Sequence, residues 1–245
     1  MRLQTFLARS GIASRRRCAT LVKAGHAAVN GITTLEPGLT VDPVTDRVTF
    51  DGSPVSLPTT STTIALNKPR GFVCSHRGQS SPTVFDLLGK QAHRLVCAGR
   101  LDKDSEGLVI LSSDGDLVQQ LTHPRYGHAK HYRVTVEGRI GEAALHVLRS
   151  PLVLDGYPLR PVEVAVQHRD QGSSTLDFLL MEGRNQQIRR MCRQAGLGVT
   201  RLVRVSVGPI TIASLPQGQS RQLSAEECRN LREPPRPEQA SSSRA

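Results

Sequence analysis

The sequence predicts an α+β protein in two parts: a small N-terminal α/β unit, then a mixed, mostly antiparallel sheet with flanking helices. Three observations predict it. Residues 62–232 alternate apolar runs of strand length with amphipathic segments of helical period. The run at 131–136 sets Tyr132, Val134 and Val136 against His131, Arg133 and Thr135, as an antiparallel sheet with one wet face requires. Residues 1–52 carry their own helix caps and turns, and residues 53–61 (Ser-Pro-Val-Ser-Leu-Pro-Thr-Thr-Ser) have the composition of a linker.

In chain order, Leu3, Phe6 and Leu7 mark a short amphipathic helix ending at Gly11. Ser14 caps a second helix whose Cys18, Leu21 and Val22 share a face and which Gly25 closes. Short β pieces follow, punctuated by the turn signals Asn30-Gly31 and Asp51-Gly52. Beyond the linker, strands are predicted at 63–67, 108–112, 131–136, 161–167, 175–181 and 199–207. Helices are predicted at 115–122, 141–149, 185–195 and 225–231. The Pro-, Ser- and Arg-rich tail, 233–245, reads as disordered.

Composition narrows the function classes. At 38% hydrophobic but 3% aromatic, the chain can build a core that must be aliphatic. No apolar run approaches the ~18 residues of a membrane span. The five cysteines are scattered and form no CxxC pair, which fits reduced thiols and gives no zinc motif. The segment after Ser14-Arg15-Arg16-Arg17 is too polar for an export signal, so the chain reads as cytoplasmic.

Charge supplies the first functional clue. The net charge is +11 and it is concentrated. Residues 1–31 hold Arg2, Arg9, Arg15, Arg16, Arg17 and Lys23 with no acid. Residues 184–204 hold Arg184, Arg189, Arg190, Arg193, Arg201 and Arg204, again with no acid. Three arginines in the first turn of the second helix oppose its dipole, a cost that a polyanion partner, most simply nucleic acid, would offset. The candidate RNA contacts are therefore Arg2, Arg9, Arg15, Arg16, Arg17, Lys23, Arg184, Arg190 and Arg193.

Gly99-Arg100-Leu101-Asp102-Lys103-Asp104-Ser105-Glu106-Gly107 places acids directly before the apolar run Leu108-Val109-Ile110-Leu111. Asp102, Asp104 and Glu106 imitate the start of an EF-hand, but the twelfth position is Ser113 rather than Glu, and a strand follows. P-loop, GxGxxG, GxSxG and HExxH motifs are absent. Asp114 and Asp116 read as a turn and a helix start. A lone ionised carboxylate in a partly dry pocket needs a nearby cation. The helix at 185–195 could supply one: Ile188, Met191, Cys192 and Ala195 form its core stripe, and Arg189 lies beside that stripe. A structural salt bridge explains Arg189 equally well, and the residues alone leave both readings open.

The segment from Gly99 to Leu108, Lys130-His131-Tyr132-Arg133-Val134 and Glu182-Gly183-Arg184-Asn185-Gln186-Gln187-Ile188-Arg189-Arg190-Met191 resemble, in order and spacing, the signature segments of bacterial ribosomal-RNA pseudouridine synthases of the Rsu/Rlu type. Asn67-Lys68-Pro69-Arg70-Gly71 and Pro82-Thr83-Val84-Phe85-Asp86 match further segments of that family. Residues 1–52 resemble the RNA-binding domain of ribosomal protein S-four, which the family places before its catalytic domain, here 62–232. The resemblance implies isomerisation of uridine to pseudouridine in rRNA, with no cofactor and no metal. It makes Asp102 the catalytic carboxylate, Tyr132 a residue stacked on the base, and Arg189 the cation paired with Asp102. Arg100 becomes the residue that fills the gap left by the flipped base, and Leu101 and Ile188 become pocket residues. The segments look closest to the large-subunit branch, which implies 23S rRNA, free or within an assembling subunit, as partner; the chain itself is read as a monomer. A 16S rRNA synthase and a non-catalytic RNA-binding assembly factor are the alternatives; a metal nuclease lacks its ligands.

Overall fold

The computed structural model describes residues 1–76, 80–92 and 94–233. It divides into two compact units, residues 1–62 with 113–115, and residues 63–112 with those from 116 onward. The tail read as disordered lies outside the described residues except for Glu233.

In the first unit, α1 (Leu3–Arg9) and α2 (Arg15–Lys23) pack through Leu3, Phe6, Leu7, Cys18 and Val22, all buried. The Ser14 hydroxyl accepts a hydrogen bond from the Arg17 backbone N–H at 3.3 Å, capping α2 as its sequence predicts. Strands β1 (Ala27–Val29), β2 (Ile32–Thr33), β3 (Val48–Phe50) and β4 (Ser53–Val55) form an antiparallel sheet in the order β2-β1-β3-β4. Asn30 and Gly31 (φ 51° and 82°) and Asp51 and Gly52 (φ 47° and 76°) give the doubly left-handed turns that suit two-residue hairpins. One boundary differs from the sequence reading. Ser53–Val55, read as the start of a linker, pairs with β3, because Asp51-Gly52 folds the chain straight back and Pro54 is tolerated on an edge strand.

The second unit is built on a sheet with the path β11-β12-β8-β13-β7-β5-β15. Its elements are β5 (Thr63–Lys68), β6 (Val96–Cys97), β7 (Glu106–Ser112), α3 (Gly115–Thr122), β8 (Lys130–Glu137) and α4 (Glu142–Arg149). There follow β9 (Val153–Leu154), β10 (Tyr157–Pro158), β11 (Glu163–Arg169), β12 (Ser173–Leu180), α5 (Gln187–Gln194), β13 (Val199–Val207), β14 (Ile210–Thr211), β15 (Ser220–Gln222) and α6 (Ala225–Arg232). The β7–β13 contact is parallel and the other neighbours on the path are antiparallel, so the predicted mixed, mostly antiparallel sheet is what forms. β7 is buried along its whole length, as its unbroken apolar run requires. One face of the sheet (Leu66, Val109, Val134, Phe178) packs with Leu145 and Leu148 of α4 and Ile188 and Met191 of α5. The other (Ala65, Leu108, Ile110) packs with Leu117 and Leu121 of α3 and Leu231 of α6. Each such aliphatic side chain contributes about 1.5–3 kcal/mol of burial, which makes the sheet a rigid base for the loops at its ends. Among the described residues no helix is long and apolar enough to cross a membrane.

Candidate active site

The acidic lip is held from below by a buried cation. In β5, Ile64, Leu66 and Lys68 alternate onto one face, which carries the Lys68 side chain into the interior at 0% exposure. Its Nζ donates to the carbonyl oxygens of Ser105 at 2.6 Å, Pro69 at 2.9 Å and Lys103 at 3.3 Å. Burial lowers its pKa, while neighbouring charges including Glu106, Asp104 and Asp102 act in the opposite sense. The Gly71 N–H binds the Lys103 carbonyl from the other side at 2.8 Å, and Ser105 N–H closes a turn on the Asp102 carbonyl at 3.1 Å. Asp102 is thereby presented by a loop whose backbone is fixed at several points.

Gly107 explains how β7 can begin so close to this loop. Its φ is +103°, and a Cβ there would stand 2.3 Å from the backbone oxygen of Arg204. Only glycine lets β7 and β13 meet at that point.

Above the sheet end lies a cavity of about 720 Å³. Asp102, Tyr132, Arg189, Arg100, Leu101 and Ile188 all line it, so the structure brings together the six residues singled out from sequence. Tyr132 sits on β8 between Phe178 of β12 and Arg204 of β13, 8% exposed, with its ring held by the sheet. Ile188 enters from the first turn of α5, and Leu101 is buried beside Asp102. Asp102 is half-buried and Arg100 is exposed at the mouth.

The expected Arg189–Asp102 ion pair is not made. Arg189 instead donates through Nη2 to the backbone oxygen of Asp104 at 3.1 Å. The residue lines the same cavity, but its hydrogen bond secures the loop rather than the carboxylate.

The cavity wall carries cations that sequence reading left unassigned. Lys130, two residues before Tyr132 and so on the same face of β8, has its pKa lowered to about 8, by burial first and the charge of Arg204 second. Arg204 is 2% exposed and donates from Nε to the Leu108 carbonyl at 2.7 Å. The signal for both was strand parity: each falls in register with core-facing positions. Cys74 and Cys97 also line the cavity. The two thiols influence each other, which lowers the pKa of Cys74 and raises that of Cys97, and the Cys74 sulfur also accepts from the Leu101 N–H at 3.5 Å.

The basic patches fare unequally. Arg2, Arg15, Arg16, Arg17 and Lys23 are exposed in the first unit, and Arg9 is half-buried. In the second patch, Arg190 is bound by both oxygens of Asp155, at 2.8 and 2.7 Å, and Arg201 pairs with Glu106 at 3.0 Å. Counting charge along residues 184–204 missed these acids because they arrive from other elements. Arg184 and Arg193 remain exposed.

Comparison with known proteins agrees with this geometry. Residues 62–194 match the RNA pseudouridylate synthase family, and residues 1–48 match the S4 domain. An uncharacterized RNA pseudouridine synthase of Mycobacterium tuberculosis is 35% identical over 237 residues, covering 94% of this chain and 92% of that protein. The ribosomal large subunit pseudouridine synthase B of Pasteurella multocida is 32% identical over 240 residues, covering 95% of this chain and 69% of that one. A crystal structure of a pseudouridylate synthase superposes with a TM-score of 0.68 at 26% identity, covering 94% of this chain and 99% of that chain. Matched over most of its length by both sequence and fold, the chain belongs to the RNA pseudouridine synthases of the Rsu/Rlu type, with an S4 domain ahead of the catalytic domain.

Proposed function

We propose that the protein isomerises a specific uridine of 23S rRNA to pseudouridine, with Asp102 as the catalytic carboxylate. The observation that carries this reading is the position of Asp102: on a braced loop, at the wall of a cavity shared with Tyr132 and Arg189. A uridine in folded RNA must leave the stack before its sugar and both faces of its base can be reached, at a cost of a few kcal/mol. Arg100, exposed beside the loop, fills the vacated place. The flipped uracil stacks on Tyr132. Asp102 acts at the ribose as the N1–C1′ bond breaks; the uracil turns, C5 bonds to C1′, the C5 proton leaves and N1 gains one. Leu101 and Ile188 keep the turning base in an apolar wall. Lys130 and Arg204 favour the negative charge that the detached uracil carries. Arg189 holds the loop through Asp104.

The exposed bases Arg2, Arg15, Arg16, Arg17, Lys23, Arg184 and Arg193 supply backbone contacts, with the enzyme acting as a monomer on RNA in the cytoplasm. The choice of 23S over 16S rRNA rests on the resemblance of the signature segments and on the large-subunit relative. The test is carbodiimide labelling and primer extension on 23S and 16S rRNA incubated with the protein, as naked transcripts and as assembling particles. A new stop in 23S rRNA alone supports the proposal; a stop only in 16S rRNA reassigns the substrate.

A further inference from the structure

The hairpin of β9 and β10 stands beside the cavity and presents an aromatic ring to solvent. Tyr157 is 60% exposed, in a chain with three tyrosines and no tryptophan. Its ring is not free to wander. The Arg184 guanidinium carbon lies 4.9 Å from the ring centre, and Arg184 itself lines the cavity that holds Asp102 and Tyr132.

The hairpin is also tied down. Asp155 and Gly156 (φ 53° and 76°) form its tight turn, and Asp155 binds Arg190 of α5 through both carboxylate oxygens. The Leu159 N–H bonds the Leu152 carbonyl at 2.8 Å, and both leucines pack on the core. Arg190, which charge counting assigned to phosphate, is thus spent on fixing the arm that carries Tyr157. An exposed aromatic ring with a cation against it, on a rigid arm, is the arrangement on which unpaired bases stack.

The geometry points to Tyr157 and Arg184 as a stacking platform at the rim of the active site, binding an unpaired nucleobase that neighbours the target uridine. This inference rests on the RNA-modifying reading above. It adds a second base-binding position, outside the pocket for the flipped uracil.

The test uses the full-length protein, and the absence of native tryptophan makes Tyr157→Trp a single-tryptophan reporter. A short single-stranded oligouridylate should quench its fluorescence, whereas a matched oligomer of abasic sites should not. In tritium release from C5-labelled rRNA, Tyr157→Ala should raise KM about tenfold, the scale of one lost stacking contact, with kcat changed less than about twofold. Tyr157→Phe should stay close to wild type. Equal quenching by both oligomers, or a KM for Tyr157→Ala within about twofold of wild type, would overturn the platform. Failure of the wild type to release tritium would count instead against the substrate assignment, and the quenching comparison would still decide the inference.

Discussion

Lys68 Nζ lies 2.6 Å from the backbone oxygen of Ser105, three residues past Asp102, with the lysine wholly inside the protein. A buried ammonium is expensive unless its donors are used, and here they are spent on the loop that carries the carboxylate. Lys68→Met would remove the donor and leave those carbonyls unpaired. The expected result is a stability loss of about 2–4 kcal/mol and strongly reduced activity in the fraction that stays folded. Urea denaturation and tritium release on the same preparation check it.

Gly107→Ala should be worse than its single methyl suggests. The added carbon would meet the backbone of Arg204, which cannot swing away as a side chain can, and the residue would keep a φ of +103°. Strain and overpacking together predict a loss of about 3 kcal/mol or more. A shift in the thermal midpoint measures it.

Lys130 gives a pH signature. Its native pKa of about 8 lies below the ordinary 10.5, because burial and then the charge of Arg204 disfavour the ammonium. Between those values the unfolded chain holds more protons than the folded one. The stability of wild type relative to Lys130→Met should therefore rise as pH increases from about 8 to 10.5. Denaturation curves for both proteins across that window test the sign.

Arg15, Arg16 and Arg17 are exposed at the start of α2, where no acid accompanies them. Replacing all three with Gln should weaken RNA binding and make log K less steep against log salt by about 2–3, close to one unit per lost phosphate contact. Removing charge that opposes the helix dipole should leave the fold as stable or more stable. Filter binding at several salt concentrations, beside thermal melts, separates the two effects.

Much of this architecture is legible in the sequence where periodicity is long. The stripe Ile188, Met191, Cys192 forecasts α5, and Tyr132, Val134, Val136 forecast a half-wet β8; both form. Asp102 could be placed at a strand lip because the apolar run behind it is unbroken. Pieces as short as β9 and β10 have no period to read, and with them went Tyr157. Long-range partners were equally hidden. Asp155 and Glu106 neutralise Arg190 and Arg201 from 35 and 95 residues away, so a local count overstated the second basic patch. Lys68 reads as an ordinary strand-end lysine until the carbonyls of Lys103 and Ser105 are folded over it. Arg189 lines the cavity, as its place beside the α5 stripe allows, but its partner is the Asp104 backbone, a choice no sequence pattern specifies.

The most direct test is tritium release from rRNA labelled at uracil C5, with chelator present throughout, comparing wild type with Asp102→Asn. Asp102 is half-buried and makes no ion pair among the described residues, so the substitution should leave the fold intact. Wild type should release tritium, and the variant should lose activity on the order of a thousandfold or more with RNA binding retained. Release by Asp102→Asn at a rate close to wild type would contradict it.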